Sequence, residues 1–143
     1  YNVGAATAIP LMRVEEMQFI EMEAVAQVDL GAAKALLEGF MDSRVTDGSY
    51  ACQADDLPSF IDEMLFQKRV EFWGEGIVFY DYKRLGKGIL RGYSGTNEAA
   101  VYAFNSDGRS PQWNIVLPRV EAQANTYIVN NPDPTGLLVP WTE

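Results

Sequence analysis

Between Leu65 and Gly86 the chain sets a dense run of charges among large aromatic side chains, with Gly74 and Gly76 in the middle. A charge beside buried aromatic surface is costly unless it is paired. This run therefore predicts a helix, a glycine break and a second short helix, with Arg69, Glu71, Glu75, Asp81, Lys83 and Arg84 forming ion pairs around the break. Asp81 or Glu75 is expected to meet Arg69 or Arg84.

The rest of the first half also reads as helix. From Pro10 to about Gln27 apolar residues recur at helical spacing. Leu11, Val14, Met17, Ala24, Val25 and Val28 are expected to face inward, with Glu21 the one polar interruption. Arg13, Glu16, Ile20, Glu23 and Gln27 form the more polar stripe, and Arg13 and Glu16 are spaced to touch. Asp29 is suited to cap a second helix over about Gly31 to Arg44. Ala32, Ala33, Ala35, Leu36, Leu37, Phe40 and Met41 make that helix apolar, and Ala24, Ala33 and Gly39 would admit close approach of the pair. A connection this short favours an antiparallel hairpin. Thr46 to Asp56 reads as a loop. Asp56 and Pro58 then start a third helix to about Trp73, with Phe60, Ile61, Met64, Leu65 and Phe72 inward. The short helix after the glycines should run from Ile77 to Leu85. Gly86-Lys87-Gly88 lacks the spacing of a phosphate loop and reads as a helix stop.

Past Gly88 the pattern changes. Gly92, Gly95 and Asn97 predict an irregular loop. Val101–Phe104 and Trp113–Leu117 are expected as short strands joined by a turn at Asn105-Ser106-Asp107-Gly108. Arg119 to Asn125 should make one helical turn, and Asn130 to Pro134 an extended or turn-like end. The expected class is mainly α, with helical hairpins, a short late β-hairpin and long loops. No period of 34 residues is present to establish a helical repeat.

Composition narrows the function. The 143 residues carry a formal net charge of −9, which disfavours nucleic acid and anionic lipid as partners. Histidine is absent and Cys52 is the single cysteine, so histidine-based triads, an internal disulfide and a thiolate metal site are excluded. Cys52 reads as a packing residue. No catalytic, metal or cofactor-binding residue is assigned, and no cofactor is expected. Glu75 and Asp81 read as ion-pairing carboxylates rather than a glycosidase pair, which needs an open cleft between its carboxyls. Trp113, Tyr93, Tyr102 and Trp141 have the chemistry to stack on sugar rings, although aromatics more often serve cores and interfaces. No apolar run is long enough to cross a bilayer. The start at Tyr1-Asn2-Val3, without a targeting segment, is that expected of a piece of a longer protein.

Three ordered segments resemble a known family. The first is Pro10-Leu11-Met12-Arg13-Val14-Glu15-Glu16-Met17, followed by Ile20, Glu23 and Ala24. The second is Lys68, Arg69, Glu71, Phe72, Glu75, Gly76, Phe79, Asp81, Lys83 and Arg84. The third is Ile115-Val116-Leu117-Pro118-Arg119-Val120-Glu121, then Asn130-Asn131-Pro132. Together they resemble the C-terminal part of the SusD/RagB-like nutrient-binding proteins, and they cover most of residues 1–143 as a single segment. The resemblance implies an α-rich, tetratricopeptide-like scaffold within a longer lipoprotein on the cell-surface face of the outer membrane. It further implies a non-enzymatic role: binding a glycan or other nutrient and delivering it to a TonB-dependent transporter of the SusC type. Membrane attachment would come only through a lipid anchor outside these residues. The family's glycan-contacting positions are expected outside this segment, so no ligand-binding residue is carried over. The alternative is a helical-repeat module for protein–protein interaction.

Overall fold

The computed structural model describes residues 11–132 and 140–141. It is mainly helical, with one small two-stranded antiparallel sheet. The chain divides into two compact units, Tyr1–Val78 and Phe79–Glu143. Pro10 and residues 133–134, for which a helix start and an extended end are expected, lie outside the described residues.

The first unit is built on α1 (Val14–Ala26), α2 (Leu30–Met41) and α3 (Leu57–Glu71). Asp29 caps α2, as its position predicts, by accepting the Ala32 N–H at 2.9 Å. Asp56 and Ser59 form a reciprocal capping box at the start of α3, where Pro58 lacks only a hydrogen that would have no helical partner. α1 and α2 pack together across the short link 27–29, and α3 packs on both. The core is Phe19, Met22 and Ala26 from α1, Ala33, Leu37, Phe40 and Met41 from α2, and Phe60, Ile61, Met64, Leu65 and Phe72 from α3 and its end. Phe19 meets Phe40 and Phe72 edge-on, with ring centroids 4.8 and 6.0 Å apart.

All five apolar residues expected to face inward from α3 and its end do so. For α1 the expected face is wrong. Leu11, Val14 and Val28 are 93%, 74% and 91% exposed, and Met17 about half exposed. The helix carries apolar residues around most of its circumference, so periodicity alone cannot select the buried side. Phe19 decides it, because it is the large aromatic that the partner rings enclose. Of the expected small contact residues only Ala33 is buried; Ala24 and Gly39 are exposed.

The loop after α2 is pinned by side chains from the helices. Glu63 accepts from the Tyr50 hydroxyl at 2.8 Å and the Gln53 N–H at 2.9 Å. Glu38 accepts the Cys52 N–H, and Lys34 donates to the Ala54 carbonyl. Burial, then Glu63, pushes the Tyr50 hydroxyl above its ordinary 10. Cys52 is buried, as expected of a packing cysteine, and burial raises its thiol pKa too. After α3, Gly74 and Gly76 take φ of 82° and 78°, which is why glycine stands at both.

In the second unit α4 (Ile77–Arg84), whose first residues close the first unit, ends on Gly86. With Gly86 at φ 63°, the Lys87 N–H reaches the Tyr82 carbonyl at 2.9 Å, the helix stop expected there. The sheet pairs β1 (Ile89–Leu90) with β2 (Asn105–Ser106). The two expected strands do not form. Ala100–Tyr102 and Pro111–Trp113 are 3-10 turns, and the expected turn residues Asn105 and Ser106 are themselves the second strand. Over Val101–Phe104 local turn bonds to Ala99 and Ala100, and the Trp141 N–H on the Ala103 carbonyl, take up the backbone, whereas around β1 and at Ile115 and Leu117 side chains do so. The Asn105 carboxamide accepts from the Arg91 and Gly92 N–H groups and donates to the Gly92 carbonyl. Asn130 brackets Leu117 by accepting its N–H at 2.8 Å and donating to its carbonyl at 3.1 Å, and Asn131 donates to the Ile115 carbonyl. α5 (Arg119–Ala124) matches the expected helical turn.

Two glycines predict opposite outcomes. A Cβ at Gly39 meets nothing within 4 Å, whereas one at Gly88 would lie 1.8 Å from the Ser106 carbonyl oxygen. In chemical denaturation Gly39→Ala should stabilise by about 0.5–1 kcal/mol. Gly88→Ala should destabilise by roughly 1–3 kcal/mol.

Candidate functional site

Three features of the described residues have the chemistry of a site. The first is a charge cluster in the first unit where the ends of α1, α2 and α3 meet. Arg13, immediately before α1, donates to both Glu71 and Glu75, the latter at 2.6 Å, and also to the Glu71 carbonyl at 3.2 Å. Its Nε lies 3.3 Å from Glu15. Arg44, just past α2, reaches the second Glu71 oxygen at 3.2 Å and lies 3.7 Å from Glu15. Both guanidinium groups also lie over rings of the core, Arg44 over Phe40 at 3.7 Å and Arg13 over Phe72 at 4.8 Å. Two cations thus hold three carboxylates. The Glu71 side chain is the most enclosed of the five, at 15% exposure.

The expected Arg13–Glu16 pair is not among these contacts. Arg13 is the N-cap, with extended backbone, so the helical i,i+3 geometry does not apply to it. Of the pairings expected around the glycine break, Asp81–Arg84 forms, at 2.7 Å. Glu75 pairs with Arg13. Arg44 was not legible as a member of this cluster. The only signal is a cation just after a helix C-terminus, where the helix dipole favours one.

The second feature is an open groove of about 330 Å³ between α1 and α2, whose lining includes Glu21, Met22, Ala35, Leu36, Gly39 and Phe40. From α1 it is lined by Gln18, Glu21 and Met22.

The third is an aromatic group in the second unit. Phe79 meets Tyr80 and Trp113 edge-on at 5.5 and 5.7 Å, and Trp113 meets Tyr82 at 6.4 Å. Lys83 donates to the Trp113 carbonyl at 3.0 Å. Tyr80 and Phe79 remain exposed, and Trp113 is half-buried. Of the other candidate stacking residues, Tyr93 and Tyr102 are exposed. Trp141 packs on Gly92, where a Cβ would fall 2.1 Å from its own. The structure gives Trp113 ring neighbours and does not gather the four candidates onto one platform.

Among the described residues no cluster of three or more His, Cys, Asp or Glu side chains is arranged to hold a metal ion, and no helix is long and apolar enough to cross a membrane. No protein-family model, curated protein or solved structure matches the chain.

The acids of the first unit give a pH prediction. Its own backbone N–H, with Arg13 and Arg44 nearby, holds Glu15 below the usual 4.5, and Ser59 holds Asp56 below 3.8. A carboxylate whose folded pKa is depressed contributes stability above its unfolded pKa and loses it as pH falls through the folded value. The thermal midpoint should therefore be level with respect to these groups above about pH 5 and fall as pH drops below 4. Glu15→Gln and Asp56→Asn should each flatten that fall, and Asp56→Asn should keep the cap. Unchanged acid slopes in both variants would remove these two groups from the account.

Proposed function

We propose that the chain is the C-terminal part of a SusD/RagB-like surface lipoprotein. The parent protein binds a nutrient, in the first place a glycan, and passes it to a TonB-dependent transporter of the SusC type at the outer membrane. Its action is binding and delivery without bond breaking. These residues act mainly as scaffold, with the lipid anchor and the principal ligand contacts elsewhere in the longer protein.

One observation carries this reading. The first two segments that resemble the family meet through residues that make the resemblance, and the third is bonded within itself. Arg13 of the first segment holds Glu71 and Glu75 of the second. Within the third, Asn130 and Asn131 bind the backbone of Leu117 and Ile115. A motif whose separated parts bond to one another behaves as a structural signature of a fold, which suits a scaffold role. The charge of −9 is compatible with a neutral sugar ligand and disfavours polyanions.

A second reading, a helical module for protein–protein contact, is favoured by the open α1–α2 groove.

A glycan array probed with this chain and with the longer gene product tests the proposal. Binding by the longer protein alone supports the scaffold reading. Binding by this chain as well moves a sugar site onto it, with Trp113 and Phe79 the first residues to replace. No glycan bound by either, together with no transporter co-purifying with the longer protein, would sink the proposal.

A further inference from the structure

Gly92 is buried and does not take a positive φ, so its backbone conformation does not call for glycine. The space around it does. A Cβ there would lie 2.1 Å from the Trp141 Cβ and 3.0 Å from the Ala103 carbonyl oxygen. That carbonyl accepts the Trp141 N–H at 2.8 Å, and Phe104 stands opposite Pro140 in an antiparallel bridge. Pro140 loses nothing by lacking an N–H, because the next residue donates the bond. The Asn105 carboxamide holds Gly92 in place, accepting its N–H and donating to its carbonyl, each at 2.8 Å. A main-chain acceptor beside a glycine kept clear for a ring has the build of a slot for an added strand. Backbone bonds hold such a peptide, and the side-chain space selects it.

The slot is filled by the chain's own segment, and the hold on that segment is modest. Pro140 is exposed and Trp141 only half-buried. Pieces of chain with little buried surface open at the low end of a protein's local stabilities. We infer that Gly92, Ala103 and Phe104 form a peptide-binding slot whose ligand is an extended proline–tryptophan segment, and that Pro140–Trp141 occupies it as an exchangeable strap. The indole is the selective element, since Gly92 gives up its own side chain to it. The strap makes the slot self-inhibited: a free peptide of the same kind enters only as the strap leaves. The inference stands apart from the nutrient-binding proposal and survives its failure.

The test is fluorescence anisotropy of the full chain with a labelled peptide spanning residues 137–143, blocked at its N-terminus. Trp141→Ala takes the ring out of the slot, and that chain should bind the peptide saturably. The wild-type chain should bind it about tenfold or more weakly, because its own strap competes at an effective concentration near millimolar. A peptide with alanine in place of tryptophan should not bind. Adding Gly92→Ala to the Trp141→Ala chain should weaken binding about tenfold or more. Circular dichroism checks that each variant keeps its fold. Should Trp141→Ala unfold, fluorine NMR of the wild-type chain labelled with fluorotryptophan decides. Excess unlabelled peptide should then move the Trp141 resonance, assigned by its loss in Trp141→Phe, to the position of an exposed indole while those of Trp73 and Trp113 stay. No binding by the folded Trp141→Ala chain, equally tight binding by the wild type, or undiminished binding of the alanine peptide overturns the inference. So does a Trp141 resonance that excess peptide leaves in place.

Discussion

The Glu71 carboxylate lies between two guanidinium groups, and the first unit depends on that junction. It joins chain that is distant in sequence: the residue before α1, the residues after α2 and the last turn of α3. Hydrophobic burial supplies most of the drive to associate, as in any small domain. The apolar contacts of Phe19, Phe40 and Phe72 leave some freedom to slide, whereas the forked geometry of arginine on carboxylate leaves little. The cluster's cations also cover the rings beneath them, so aromatic core and ionic clasp are one feature. An exposed pair of this kind contributes little. Glu71 is enclosed enough for its loss to strand two cations against each other, which costs more than the pair itself contributes.

The legibility of the chain follows which forces shape each part. α2 and α3 could be read because local chemistry states their starts: Asp29 and Asp56 cap them, and both caps form. The inward face of α3 was legible because its apolar residues occupy one side only. α1 was not, because Phe19 competes with a second apolar stripe of equal regularity, and only the tertiary contact with Phe40 decides between them. The second unit was least legible. Its backbone is satisfied by the carboxamides of Asn105, Asn130 and Asn131 across sequence gaps that no periodicity marks. Val101–Phe104 and Trp113–Leu117 have the composition of strands without the partner strand that would make them so.

The candidate sites divide in the same way. That Glu71 and Glu75 would be paired was legible from the cost of charge among aromatics; that Arg13 and Arg44 would do it was not, since both come from elsewhere in the sequence. The clasp fixes how α1 and α2 sit on α3.

The most direct check on this account is the coupling between Arg13 and Glu71, measured by urea denaturation of Arg13→Ala, Glu71→Ala and the double variant. A clasp that holds α1 to α3 predicts a coupling of about 1–3 kcal/mol, the double variant being less destabilised than the sum of the single ones. A coupling within about 0.3 kcal/mol of zero would mean that the two side chains act independently, and would contradict the claim that their junction organises the three helices.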